Sequence, residues 1–450
     1  MSPLYLLLVA AGGVALLLFL VMRLKLHAFV ALLIVSFLVA LAAGIPLGDI
    51  ISTIEEGMGG ALGFIAIVVG LGAMFGEMLR VTVGAEQIAN RLITGFGESR
   101  AQWALALTGF IVAIPVFFDV GLIILIPLVY TIAQRAGRSL LHYAIPLIAG
   151  LAVTHSFVPP TPGPVAAAGI LGADLGWVIL FGLLAGIPAV IVGGVLFGRY
   201  IGGKIHLEVP EYMQIDEEEL ERAEGRPTPS FGLTISTILL PLALILINTV
   251  SGVALPEDGR TAQVLALVGD PFVALTLAVL MSFYVLGARH GYSLNEVQGV
   301  ATKALEPVGL IILVTGAGGV FGEVLVQSGM DQALQGLLEA TAMPVIVLGF
   351  LAAVLVRVSL GSATVSLVTS ASIVAPVVES GDFSAPLLGA LVIAIASGAT
   401  VLSHVNDSGF WLVSRYLGMN EGQTLRSWTV METIIGLVGF GVVLVISLFL

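Results

Sequence analysis

The chain has 450 residues, 58% of them hydrophobic and only 10% charged, and its mean hydropathy of +1.10 lies far outside the composition of soluble domains. A polytopic membrane protein is predicted. The absence of cysteine excludes disulfides and thiolate metal sites, and the net charge of −12 says little about partners because much of it sits in one loop.

A helix of about 20 residues crosses a ~30 Å hydrocarbon layer. About ten apolar runs of that length lie near residues 4–22, 26–44, 60–79, 142–170, 176–199, 232–256, 262–287, 305–325, 385–418 and 428–450. The first, Leu4 to Met22, has no charged leading region and no small-residue cleavage site, so it is read as a retained helix rather than a signal peptide. Two further segments, 101–134 and 343–378, are too long for one span and are broken near their middles; each is predicted to be a hairpin that enters and leaves by one face. With the N-terminus outside, this arrangement puts every Lys and Arg inside except Arg260, which falls outside, and Arg357, which falls within a hairpin. That one-sidedness is the signature of cytoplasmic retention of basic residues, and both termini are expected outside.

The segment around "DEEELERAEGRPTPS" is predicted to be a solvated cytoplasmic linker that divides the chain into 1–201, 202–231 and 232–450. The halves are related. Shifting "GFIAIVVGLGAMFGEML" (Gly63 to Leu79) onto "GLIILVTGAGGVFGEVL" (Gly309 to Leu325) retains the phrase "FGE" and aligned glycines, which marks an internal repeat. The loop before the first copy is acidic and outside, whereas that before the second holds Arg289 and Lys303 and is inside, so the copies cross in opposite directions. The predicted fold is therefore all-α: membrane-crossing helices plus two re-entrant hairpins, built as two inverted-topology repeats with broken helices at the midplane. Secondary transporters are built this way, with substrate bound at the breaks. Gly72 with Gly76, and Gly318 with Gly322, have the spacing of close helix packing.

The breaks are legible. "THSFVPPTPGP" puts four prolines into one apolar run, and proline cannot continue a regular helix. The freed backbone groups are tolerated at depth only when buried in protein or lining a polar cavity. In the second half, "SHVNDSGFW" breaks the corresponding run, with His404 aligned to His155. The hairpins are polar at their turns: "IPVFFDVG" carries Asp119, and "VRVSLGSATVS" carries Arg357, Ser359, Gly361, Ser362 and Thr364. Helix N-terminal ends at such turns offer amides and a partial positive charge to an anion, although the hydroxyls can equally back-bond to their own helix.

Ionisable residues at depth are expensive and default to functional candidates; here they are Asp119, His155, Arg357, His404 and Asp407. Arg357 is equally suited to a substrate carboxylate or to a bridge with Asp119 or Asp407. Each histidine can relay protons or simply bond a freed carbonyl. Glu77 and Glu323 stand near the ends of their spans, either as interfacial anchors or, being present in both copies, as coupling groups. "GRYIGGKI" lacks the Ser/Thr of a phosphate loop and no strand precedes it. No H-E-x-x-H or G-x-S-x-G motif is present, so enzymatic activity is not expected, nor is a cofactor, a metal or nucleic acid.

The phrases "FFDVGLIILIPL", "HSFVPPTPGPVAAAGILGADLG", "RVSLGSATVS" and "SHVNDSGFWLVSRYLGM" resemble, from about residue 26 to the C-terminus, the gluconate permease family of proton-coupled symporters within the ion transporter superfamily. The resemblance implies a bacterial inner-membrane importer of a small organic anion, gluconate or a related hydroxy acid, driven by protons. It also implies an elevator-type transport domain moving against a dimerising scaffold in a homodimer. The substrate carboxylate is expected on the hairpin amides with Arg357, Ser362 and Thr364. The hydroxyls are expected on Thr161 and Gly163 at the first break, and on Asn406, Asp407 and Ser408 at the second. The coupling proton is expected on Asp119, Asp407, a histidine or the paired Glu77 and Glu323. Some family members carry His where this chain has Thr161, and relatives accept other sugar acids or a D-amino acid. Sodium coupling to a carboxylate or dicarboxylate is the competing expectation.

Overall fold

In the computed structural model, the described residues are 3–82, 84–210, 228–255, 259–306, 308–329, 343–404 and 407–450, with no strand among them. Most of the predicted linker and Asn406 lie outside that set. The first half runs α1 (Pro3–Met22), α2 (Ala28–Ala42), α3 (Ile50–Val81), α4 (Gly84–Phe96), α5 (Ala101–Val112), α6 (Phe118–Ala136), α7 (Leu140–Phe157), α8 (Pro162–Leu171), α9 (Leu175–Ala189) and α10 (Phe197–Lys204), the last two joined by a π turn over Val190–Leu196. The second half runs α11 (Phe231–Ala254), α12 (Arg260–Gly269), α13 (Pro271–Ser282), α14 (Leu294–Ala304), α15 (Val308–Gln327), α16 (Val345–Leu360), α17 (Ala363–Ser380), α18 (Ala385–Gly398), α19 (Ser408–Tyr416), α20 (Glu421–Thr424) and α21 (Val430–Ser447), with a π turn over Leu425–Thr429 before α21.

Among the described residues, eight helical segments are long and apolar enough to cross a membrane, against the roughly ten expected from length alone. Several apolar runs form shorter helices, such as Phe29–Ala42, Ile312–Gln327 and Ala385–Gly398. The run 262–287 is not one helix. Asp270 caps a new helix by accepting Phe272 N at 2.9 Å, and Pro271 occupies its first turn, where a missing N–H costs nothing. An Asp-Pro start signal therefore overrides continuous hydrophobicity.

The centre of the molecule is the broken segment Leu140–Leu171, with 89% of its apolar window buried, against 33% of the window in Phe231–Ala254. Glycines set the close approaches. α3 and α15, which carry the two copies of the repeated phrase, pack on each other; Gly57 meets the backbone of Gly319 and Val320, and Gly316 meets Met58 and Leu62. Gly72 and Gly76 face Pro160 and Pro115, while Gly318 and Gly322 face Val368 and Ser372 of α17. The repeated phrase thus holds one broken helix, one hairpin turn and one hairpin arm.

A Cβ at Gly76 would stand 1.9 Å from the Pro115 carbonyl oxygen, whereas one at Gly59 meets nothing within 4 Å. Gly76→Ala is expected to lose about 1–3 kcal/mol through overpacking, read as a lower Tm of the purified protein, and Gly59→Ala is expected to leave Tm in place. Equal Tm values for the two variants would show that this contact does not limit packing.

Candidate functional site

At both breaks, side chains and turns pair several of the freed backbone groups. α7 ends at Phe157, the chain turns through Val158–Thr161 with a cis Pro159–Pro160 peptide, and α8 restarts with Pro162 in its first turn. Thr161 Oγ1 donates to the Val158 carbonyl at 2.7 Å, which satisfies an acceptor that water cannot reach. At the second break, Leu402 takes a positive φ of 56° and its N–H donates to Thr433 Oγ1 at 3.2 Å. The Ser403 carbonyl accepts from Thr429 Oγ1, and Asp407 N–H donates to the His404 carbonyl at 2.9 Å.

The breaks and the hairpin turns meet around one cavity. Its wall combines Phe118 and Asp119 from the start of α6, Ala152, His155 and Ser156 from α7, Arg357 from α16, Ser362, Ala363 and Thr364 from the start of α17, Asp407, Ser408 and Gly409 from the start of α19, Trp428 from the π turn before α21, and Glu432 from α21. About 170 Å³ is available inside, many times the ~10–15 Å³ that one water needs. Three helix N-termini therefore open on a single small-molecule space.

The strongest electrostatic feature is a sealed ion pair. Arg357 is 2% exposed; its Nη2 donates to Asp407 Oδ2 at 2.6 Å and its Nη1 donates to the Gly361 carbonyl. Gly361 sits at φ 84°, a left-handed turn that glycine takes without strain. Asp407 also accepts Ser403 Oγ at 2.5 Å and Gly409 N at 3.0 Å, and Ser403 Oγ in turn accepts Trp428 Nε1 at 2.7 Å. A buried carboxylate so surrounded meets the requirement that charge at depth be paired and hydrogen-bonded. Of the roles open to Arg357, the bridge to Asp407 is the one formed, with the guanidinium still on the cavity wall.

The other predicted residues divide. Asp119, His155, Ser362, Thr364 and Ser408 line the cavity. His155 has a buried Nδ1 without a partner among the described residues, and its ring stands edge-on to Phe117 at 6.1 Å. His404 Nε2 bonds the Val358 carbonyl at 3.0 Å, tying the second break to the second hairpin. Gly163 lies where α8 packs on α17, its missing Cβ within 2.7 Å of Leu367, and Thr161 is spent on Val158; neither is on the wall. Ser359 belongs to the last turn of α16. Glu77 forms a two-pronged pair with Arg80, one arm at 2.7 Å, beside a separate cavity behind the first hairpin turn that Lys303 and Glu306 also line. Glu323 accepts Gln327 Nε2 at 2.9 Å.

Sequence reasoning missed Glu432, Trp428 and Ser403. The available signal was a lone carboxylate in the run "VMETIIGLVGFGVVLVIS", an intramembrane ionisable residue of the type already singled out elsewhere.

Residues 4–449 match the profile described as GntP family permease. The low-affinity gluconate transporter of Escherichia coli K12 is 44% identical over 98% of this chain and 97% of that protein, and the gluconate permease of Pseudomonas aeruginosa PAO1 is 40% identical over 99% of this chain and 98% of that one. Among solved structures, the Alcanivorax borkumensis YdaH transporter superposes with a TM-score of 0.61 over 89% of this chain and 88% of that chain at 15% identity, a likeness of fold.

Removing one partner of a buried ion pair leaves the other charged and unpaired, at about 3–5 kcal/mol. Arg357→Met is expected to lower unfolding stability by that order, and the double variant Arg357→Met/Asp407→Leu to recover much of it. Strictly additive losses in this double-mutant cycle would show that the two side chains do not stabilise one another.

Proposed function

The chain belongs to the GntP permease family, and from that membership and the cavity we propose that it imports gluconate or a closely related sugar acid by proton symport. The observation that carries the reading is the convergence of three helix N-termini and one guanidinium on one cavity. First-turn amides have no intrahelical acceptor and carry the positive end of the helix dipole, and arginine presents a fork that matches a carboxylate.

In this reading the substrate carboxylate rests on the amides of Ala363 and Thr364 beside Arg357 and Ser362. Its hydroxyls meet Ser408, Asp407 and Asp119, with Asn406 joining the set through its place next to Asp407. Proton uptake accompanies the anion because carrying net charge through a low-dielectric interior is costly. The inverted-repeat halves 1–201 and 232–450, joined by 202–231, are part of the proposal. Their support is a matching element order: hairpins α5–α6 and α16–α17, broken helices α7–α8 and α18–α19, and closing helices that each contain a π turn. A bacterial inner-membrane location with both termini outside, elevator-type alternating access and a homodimer complete it.

The test is uptake of labelled gluconate into proteoliposomes under an inward proton gradient without sodium, with unlabelled sugar acids, dicarboxylates and D-serine as competitors. Accumulation that an uncoupler abolishes and sugar acids block is expected. Uptake that begins only on adding sodium overturns the coupling, and competition by dicarboxylates or D-serine alone overturns the substrate.

A further inference from the structure

α21 carries a single charged side chain, Glu432, near its start. That side chain is 3% exposed, reaches the cavity wall, and has an Oε1 with no hydrogen-bond partner among the described residues. It follows the π turn Leu425–Thr429, a distortion that recurs at functional sites, and lies one helical turn beyond Trp428, on the same face.

The cavity holds three carboxylates, and they are not equivalent. Asp407 is committed to Arg357, Ser403 and Gly409. Asp119 is exposed. Glu432 alone among them is both sealed and uncommitted. The groups that face it are Asp119 from α6, His155 from α7, Arg357 from α16 and Asp407 at the start of α19. Its other packing neighbours α9, α18 and the π turn Val190–Leu196 carry no charge, and Arg426 on the turn before it is exposed. Three carboxylates against one guanidinium leave the wall negative before any anion arrives, and a carboxylate substrate adds to that excess. An incoming proton on Glu432 Oε1 would offset the charge that the anion brings, at the one cavity carboxylate not already held by another group.

We propose that Glu432 carries the co-transported proton, an inference that rests on reading the cavity as the substrate site. A proton from the outer side bonds to Glu432 Oε1 as the anion enters. It leaves the same oxygen for water on the inner side once the substrate has gone. On loading, a hydronium O–H bond breaks as the carboxyl O–H bond forms, and release reverses this.

The test compares wild type, Glu432→Gln and Glu432→Asp in proteoliposomes, with gluconate as the probe. Wild-type accumulation under a proton gradient comes first, since its failure would overturn the symport reading and leave nothing for Glu432 to couple. Given that accumulation, E432Q is expected to exchange gluconate across the membrane when preloaded, at a reduced rate, while the gradient-driven ratio of internal to external gluconate falls to unity. E432D is expected to restore part of the accumulation. Undiminished accumulation in E432Q overturns the proposal, as does folded, monodisperse E432Q that no longer exchanges, because Glu432 would then serve binding instead. Should E432Q not fold, infrared difference spectra of the wild-type protein decide. A protonated-carboxyl band that grows on adding gluconate, and shifts in E432D, is expected, and its absence overturns the assignment.

Discussion

A peptide group inside an apolar layer has to be paired by the protein itself, and the centre of this molecule is organised around two places where helices stop obeying their own pairing. The first stop is imposed by prolines and closed by one hydroxyl, Thr161 on the Val158 carbonyl. The second lacks proline. Its release is managed from outside the segment, by Thr429 and Thr433 reaching across to Ser403 and Leu402 and by Asp407 turning back on His404. Because the second repair comes from another helix, the polar wall is continuous with the packing that surrounds it.

Close approach then brings the pieces to one point. The glycines of α3 and α15 let those helices touch each other, the proline break, the first hairpin turn and the arm of the second hairpin. α8 of the first half packs on α17 of the second. Residues about 250 positions apart in the chain, Phe118 with Thr364 and His155 with Ser408, therefore share one cavity, and neither half contains it alone.

Much of this was legible because polar and helix-breaking residues stand out against a nearly uniform apolar background. Asp119, His155, Arg357, Ser362, Thr364, Asp407 and Ser408 were singled out by type alone, and they line one space. The prolines at 159–164 announced the first break directly. What stayed hidden has physical reasons. Glu432 sits in an apolar helix with no proline to draw attention to it, and its importance arises only from which face of that helix turns inward. The turn between α12 and α13 was masked by hydrophobicity on both sides, although Asp270–Pro271 is a start signal. Thr161 and Gly163 were legible as special positions but not in their use, since satisfying a neighbouring carbonyl or admitting Leu367 depends on a partner that sequence does not locate.

Arg357 ends one hairpin arm, holds the carbonyl of Gly361 at the turn, and grips Asp407, the cap of the restarted helix. His404 adds a second tie between the same two elements, through the Val358 carbonyl. Pulling the hairpin turn away from the broken helix would expose a guanidinium and a carboxylate to a medium that solvates neither, at about 3–5 kcal/mol for the severed pair. The second hairpin and the second break therefore behave as one mechanical piece. The first hairpin turn has no comparable anchor among the described contacts: Phe117 leans on His155 through ring edges alone, and Asp119 is held by no ion pair. The two sides of the cavity are thus fastened by different means: charge and backbone bonds on the second hairpin, and on the first, Phe118 against Trp428 with ring centroids 5.4 Å apart and Gly76 packed on Pro115.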